Sequence, residues 1–231
     1  MPSLKKILHF MGSALVTACS VGVMGVCMST TWAQTTMECT RSEEDFTNGS
    51  AVVTLNLFVG NMNRSFCPLF GGRQDFEVIP QLRGTGVTNV VLHGLVVCLL
   101  ALCLLFSGCS ILISLYNSVS NPYETYMGPA GVYVCSSLSA CLSIVVLILF
   151  AVNVTVTSMA EDLVQSFSGD ILADLRNKTS EMKLGYYLVL LYTGLSLFAI
   201  ALIYLYDHAA YTRRQEQQRP TEDAPKEIMM Y

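Results

Sequence analysis

Four long apolar runs constrain this chain more than any other feature. Residues 7–28, 87–115, 131–154 and 184–206 are each apolar enough and long enough to cross a membrane, which takes roughly 20 helical residues. In hydrocarbon the backbone must satisfy its own polar groups, so each run predicts a transmembrane helix. Composition agrees: charged residues are only 13% of the chain and hydrophobic ones 52%, where a soluble domain averages about 25% charged. The first run admits a second reading. Lys5 and Lys6 precede it and Thr31-Trp32-Ala33 follows it, a pattern that also fits a cleaved signal peptide. Its 22 residues exceed the roughly 7–15 of a signal core, so a retained first span is expected.

The runs divide the chain into a terminal segment 1–6, a long loop 29–86, a joint 116–130, a second loop 155–183 and a tail 207–231. Positive charge does not orient them. Six basic residues (Lys5, Lys6, Arg213, Arg214, Arg219 and Lys226) fall on the side of the termini and seven in the two loops, and long loops count for little in the positive-inside rule. Sequons are more informative, because their acceptors must face the lumen. Asn48, Asn63 and Asn177 each begin one, all within the two loops. Both termini and the joint are therefore expected in the cytoplasm, with both loops outside the cell at the plasma membrane. A fourth sequon at Asn153 closes the third span, where no transferase would reach it.

Of nine cysteines, only Cys39 and Cys67 lie outside the runs, both in the first loop. In an oxidising compartment they predict one disulfide, and the other seven act as small apolar packing residues. In the same loop, residues 51–60 are β-branched and apolar enough to read as one strand, and 73–80 as a second ended by Pro80, with Gly71-Gly72 as turn chemistry between them. A small sheet resting on the helix ends follows. In the second loop, residues 161–175 read as a helix with Leu163, Phe167, Ile171, Leu172 and Leu175 on its apolar face.

Within the spans, Ala14, Ala18 and Gly22 recur at every fourth position of the first, and Gly131, Cys135, Ser139 and Ser143 do so in the third. Small residues let helices approach closely in lipid. Internal bundle packing is the favoured use of both ridges, and homo-oligomerisation the lesser one. The spans hold almost no ionisable side chains, and His93, near the outer end of the second, is the one candidate for a role. A functional role is the default for such a group; a neutral histidine bonded to a neighbouring helix is the simpler account. The joint contains Pro122 and Pro129, each of which pushes the preceding residue out of the helical region, so it reads as a hairpin turn. The tail from Tyr211 is polar and reads as disordered. It ends in Ile228, Met229, Met230 and Tyr231, an apolar end that could add as a strand to a PDZ domain.

These patterns exclude several classes. The net charge of −4 and the lack of a basic patch argue against nucleic acid. The loops hold no phosphate-cradling glycine motif, no metal-ligand spacing and no nucleophile–base constellation, so neither a cofactor nor enzymatic activity is expected.

Several strings together resemble the clarin family of four-span membrane proteins. They are Met1-Pro2-Ser3 with Lys5-Lys6, Leu57-Phe58 followed by Gly60, CPLFGGRQ from Cys67, the joint YNSVSNPYETYMGPAGVY from Tyr116, and YTRRQEQQRPTEDAP in the tail. The joint and tail are similar to the family's third paralogue. The resemblance implies an all-α membrane protein, a left-handed four-helix bundle of claudin-like type with a small extracellular sheet in the first loop. It also matches Asn48 to a family glycosylation position and Cys39 and Cys67 to its loop cysteines. By resemblance the function is organisation of membrane protein complexes, linked to hair-bundle and synapse maintenance in sensory hair cells. The alternatives are a claudin-like adhesion or barrier protein and an auxiliary subunit of a channel or mechanotransduction complex. Asn56 stands where the family has glycine, and the closely spaced cysteine pair of claudins is absent, which weighs against strand-forming junctions. The specificity of the joint exceeds what a turn needs, and it marks Tyr123, Glu124 and Tyr126 as candidates for a cytoplasmic partner.

Overall fold

In lipid the four runs should pair as neighbouring antiparallel helices, because short or sheet-forming connections join their ends. The computed structural model, which describes residues 4–40, 49–67, 71–119, 128–168 and 174–218, shows this arrangement. The long helices are α1 (Leu4–Ser29), α3 (Val87–Val119), α4 (Gly128–Thr155) and α6 (Leu184–Gln218), and each is long and apolar enough to span a membrane. Each packs on two others: α1 on α3 and α6, and α4 on the same two. All remaining elements gather at one end. They are β1 (Ala33–Thr40), β2 (Gly49–Leu55), β3 (Val59–Ser65), β4 (Arg73–Glu77), α2 (Val78–Arg83), α5 (Met159–Ser168) and β5 (Asp174–Met182).

The strands form one antiparallel sheet in the order β4-β3-β2-β1-β5. Its inner face follows from simple alternation. Ala33, Thr35, Met37 and Cys39 of β1 and Ala51, Val53 and Leu55 of β2 are buried, while the residues between them are more exposed. Together with Met24, Leu100, Phe150 and Leu163 of the helices, they form one core where sheet and bundle meet.

Four expectations need correction. The run 51–60 is not one strand but two. Asn56 donates its N–H to Val59 O at 3.1 Å, and the apolar run folds back on itself as a hairpin. Residues 73–80 are strand only to Glu77. Pro80 lies in the first turn of α2, where its missing N–H would have had no helical partner anyway. The second-loop helix stops at Ser168, and Leu175 lies in β5. The sheet therefore draws on both loops, because β5 pairs with β1. Finally, α6 continues past the membrane to Gln218, since Ala, Arg, Glu and Gln there favour helix more than the polar composition suggested. The remainder of the tail and residues 120–127 of the joint lie outside the described residues.

Candidate functional site

The junction between sheet and bundle is built around the chain's one tryptophan. Where α1 ends, Cys27 O accepts from the Thr30 N–H, the Thr30 hydroxyl and Trp32 Nε1, the last at 2.8 Å, so the free carbonyl of a helix end is capped. Residues 31–32 then thread between β2 and the start of α6. Trp32 N donates to Leu55 O, Lys183 N to Trp32 O and Gly185 N to Thr31 O, each at 2.8 Å. The indole is fully buried and meets the Phe150 ring of α4 edge-on at 4.9 Å. Gly185 is required at its position because a Cβ there would lie 2.5 Å from the indole Cδ1. One aromatic residue thus ties α1, α4, α6 and the sheet together.

Polar contacts tie the second loop to α3, to the first loop and to itself. Asn89 Nδ2 of α3 and Ser158 Oγ both donate to Asp162 of α5. Arg64 on β3 donates to Phe167 O at 3.0 Å, and Lys178 on β5 reaches Thr157 O at 2.8 Å and Glu161 at 3.3 Å. At the rim, Lys183 Nζ donates to Glu181 at 2.7 Å and holds that carboxyl below its ordinary range. Both groups are substantially exposed, so the pair adds little stability.

The disulfide Cys39–Cys67 is formed, with Cα atoms 5.4 Å apart, and links β1 to the end of β3. Asn63 is exposed on β3, and Asn177 is exposed on β5 at a positive φ of 52°. Asn177 Nδ2 donates to Glu38 on the outward side of β1 at 2.6 Å. In the register, Thr36 faces Val52, Val52 faces Asn63 and Asn63 faces Arg73, a cross-strand row on the side turned away from the core. Both sequons therefore share the sheet's outward, polar face. Asn48 lies outside the described residues, as do Tyr123, Glu124, Tyr126, Ile228, Met229, Met230 and Tyr231. Asn153 is buried, its amide against Met159 Sδ at 3.4 Å.

The two ridges of small residues behave differently. Gly131, Ser139 and Ser143 of α4 are buried and Cys135 partly so. On α1 only Ala14 is buried. Ala18 and Gly22 are exposed, and nothing lies within 4 Å of a Cβ built on Gly22, so the expected internal ridge does not extend to them. The buried face of α1 is Phe10, Ser13, Thr17, Ser20 and Met24 instead.

Sequence reasoning passed over the polar interior of the bundle. Ser107 Oγ and Tyr192 OH lie 2.7 Å apart, Ser110 and Ser136 hydroxyls 2.9 Å, and Ser143 and Thr193 hydroxyls 2.7 Å. Tyr192 OH also donates to Cys103 O at 3.1 Å. These bonds stitch α6 to α3 and α4, and α3 to α4 through Ser110 and Ser136, each contributing about 0.6 kcal/mol and at most about 1.7 in a membrane. Serines at 107, 110 and 114 of α3 and at 136, 139 and 143 of α4 carried the helical spacing that could have revealed them. His93 also departs from expectation. Its partner is not a helix but the turn between β2 and β3: Nε2 lies 2.8 Å from Leu57 O. A carbonyl only accepts, so this nitrogen carries the proton. Among the described residues, no group of three His, Cys, Asp or Glu could hold a metal ion.

A family model described as Clarin-2-like matches residues 4–175, well over half of the chain. The chain belongs to the clarin family. Clarin-3 of Homo sapiens is 30% identical over 233 residues and Clarin-3 of Mus musculus 32% over 238, in each case across the full length of both chains. Clarin-1 of Homo sapiens is 28% identical over 167 residues, covering 69% of this chain and 70% of that protein. Four apolar helices capped by an antiparallel sheet make this clarin an integral multi-pass membrane protein with a four-span, claudin-like fold.

Proposed function

We propose that this clarin is a non-catalytic organiser of membrane protein complexes, seated in the plasma membrane with both termini cytoplasmic and its sheet outside the cell. The observation that carries the reading is the shared position of Asn63 and Asn177 on the outward face of the sheet. Glycans at these sequons would cover the surface that an adhesion contact between cells needs. Partners are then held laterally, along the lipid-facing helices, and from the cytoplasm. There the contacts are Tyr123, Glu124 and Tyr126 of the joint and Ile228 to Tyr231, the latter as a strand added to a PDZ domain. By family resemblance, the complexes are those that maintain the hair bundle and synapse of sensory hair cells.

The test is co-purification from native tissue under mild detergent, with endoglycosidase shift of the recovered protein read in parallel. A glycosylated protein recovered with a reproducible set of membrane partners is expected. Freeze-fracture of expressing cells showing junctional strands, with Asn63 and Asn177 unmodified, would replace the organiser with an adhesion protein. A channel subunit recovered in fixed proportion would make it an auxiliary subunit.

A further inference from the structure

The turn between β2 and β3 is apolar where a water-facing hairpin tip would be polar. Leu57 at the turn is fully buried, yet Phe58 and Val59 beside it are 48% and 50% exposed. Their depth can be fixed from α3. Leu57 O is held by His93, and from His93 to Tyr116 near the far end the helix rises roughly 35 Å at 1.5 Å per residue. Hydrocarbon is about 30 Å thick, and exposed tyrosines such as Tyr116 and Tyr204 mark the headgroup level at that end. The tip therefore sits where headgroups give way to acyl chains on the sheet side. Val87, Val91 and Leu95 of α3, at and around the same level, also expose apolar surface, so the tip is continuous in height with the lipid-facing wall of the bundle.

The backbone gives a second sign. Non-helical chain at that depth must have its carbonyls satisfied by protein. Three successive carbonyls here are: Leu57 O by His93 Nε2 at 2.8 Å, Phe58 O by Val78 N at 2.9 Å and Val59 O by Asn56 N at 3.1 Å. A turn in water has no need to spend a buried histidine on a carbonyl.

We propose that the β2–β3 tip is a lipid-binding anchor: Phe58 and Val59 insert among the acyl chains of the sheet-side leaflet, and His93 is the positioning residue that lets the turn enter it. The sheet is thereby held against the bilayer surface as well as on the helix ends, whichever proteins the chain binds.

The test uses full-length protein in phosphatidylcholine vesicles, with F58W and V59W as probes and the wild type, whose one tryptophan is buried, as background. Phe66 at the far end of β3 is exposed, about 20 Å along the strand from Val59, so F66W is the water-facing control. With lipids brominated at carbons 6 and 7, F58W and V59W should lose at least half of their added emission and resist acrylamide, while F66W does the reverse. Quenching of F58W and V59W by acrylamide but not by brominated lipid would overturn the proposal. Protection from both quenchers would overturn it too, because protein would then cover the tip.

Discussion

Gly185→Ala and Gly22→Ala are the same chemical change in two helices, and the structure gives them opposite signs. At Gly22 the added methyl meets nothing within 4 Å, so the expected effect is the gain in helix propensity of roughly 0.5–1 kcal/mol. At Gly185 it would lie 2.5 Å from Trp32 Cδ1, 2.8 Å from Nε1 and 3.0 Å from Thr31 O. None of these can retreat cheaply. The indole is fully buried, pinned by its bond to Cys27 O and by the Phe150 ring, and Thr31 O is the acceptor for Gly185's own N–H. Overpacking of this kind costs about 1–3 kcal/mol. At this chain length that is a melting temperature lower by roughly 2–12 °C. Thermal unfolding in mild detergent, followed by the emission of Trp32, reads both variants, and the sole tryptophan reports the site directly. In a Trp32→Ala background, which has no tryptophan left and is followed by far-ultraviolet circular dichroism alongside the single variants, most of the G185A penalty should vanish, giving a coupling of at least about 1 kcal/mol as expected for residues in contact. The reasoning is refuted if G185A melts at or above the wild type, or if the Trp32 and Gly185 changes simply add.

Other consequences follow from the same geometry. Replacing Cys39 and Cys67 by serine removes a link across 28 residues, worth about 3.6 kcal/mol in the chain-entropy account; non-reducing electrophoresis and chemical unfolding check it. Tyr192→Phe breaks the bonds to Ser107 and Cys103 O and should lower stability by about 0.6–1.7 kcal/mol, whereas a hydroxyl that contributes nothing would leave the melting curve unmoved. In expressing cells, N63Q and N177Q should each remove one endoglycosidase-sensitive step. N153Q should remove none, since Asn153 is buried at the end of α4.

The spans were legible because a membrane imposes one solution on any apolar run of sufficient length, and neither partner nor register is needed to see it. The sheet was harder for the opposite reason: its strands are specified by each other. β1 (Ala33–Thr40) and β5 (Asp174–Met182) are polar stretches from different loops. Met37 and Cys39 point inward only because β2 lies on one side and β5 on the other. The joining of the two loops has no local signal, although the disulfide within the first was legible from cysteine count alone. The ridge on α1 shows a further limit. Spacing of small residues names a face, but not which face of the helix meets the bundle. Ser13, Thr17 and Ser20 take that place because they can turn their hydroxyls onto backbone carbonyls (Ala199 O at 3.4 Å, Ser13 O at 2.9 Å and Thr17 O at 2.7 Å). Ala18 and Gly22 have no polar group to hide and lose nothing by facing lipid. In this bundle, then, hydroxyls rather than glycines mark the inside. The apolar residues that matter most to the sheet's seating, Trp32, Leu57 and Phe58, sit at the boundary where the spans end.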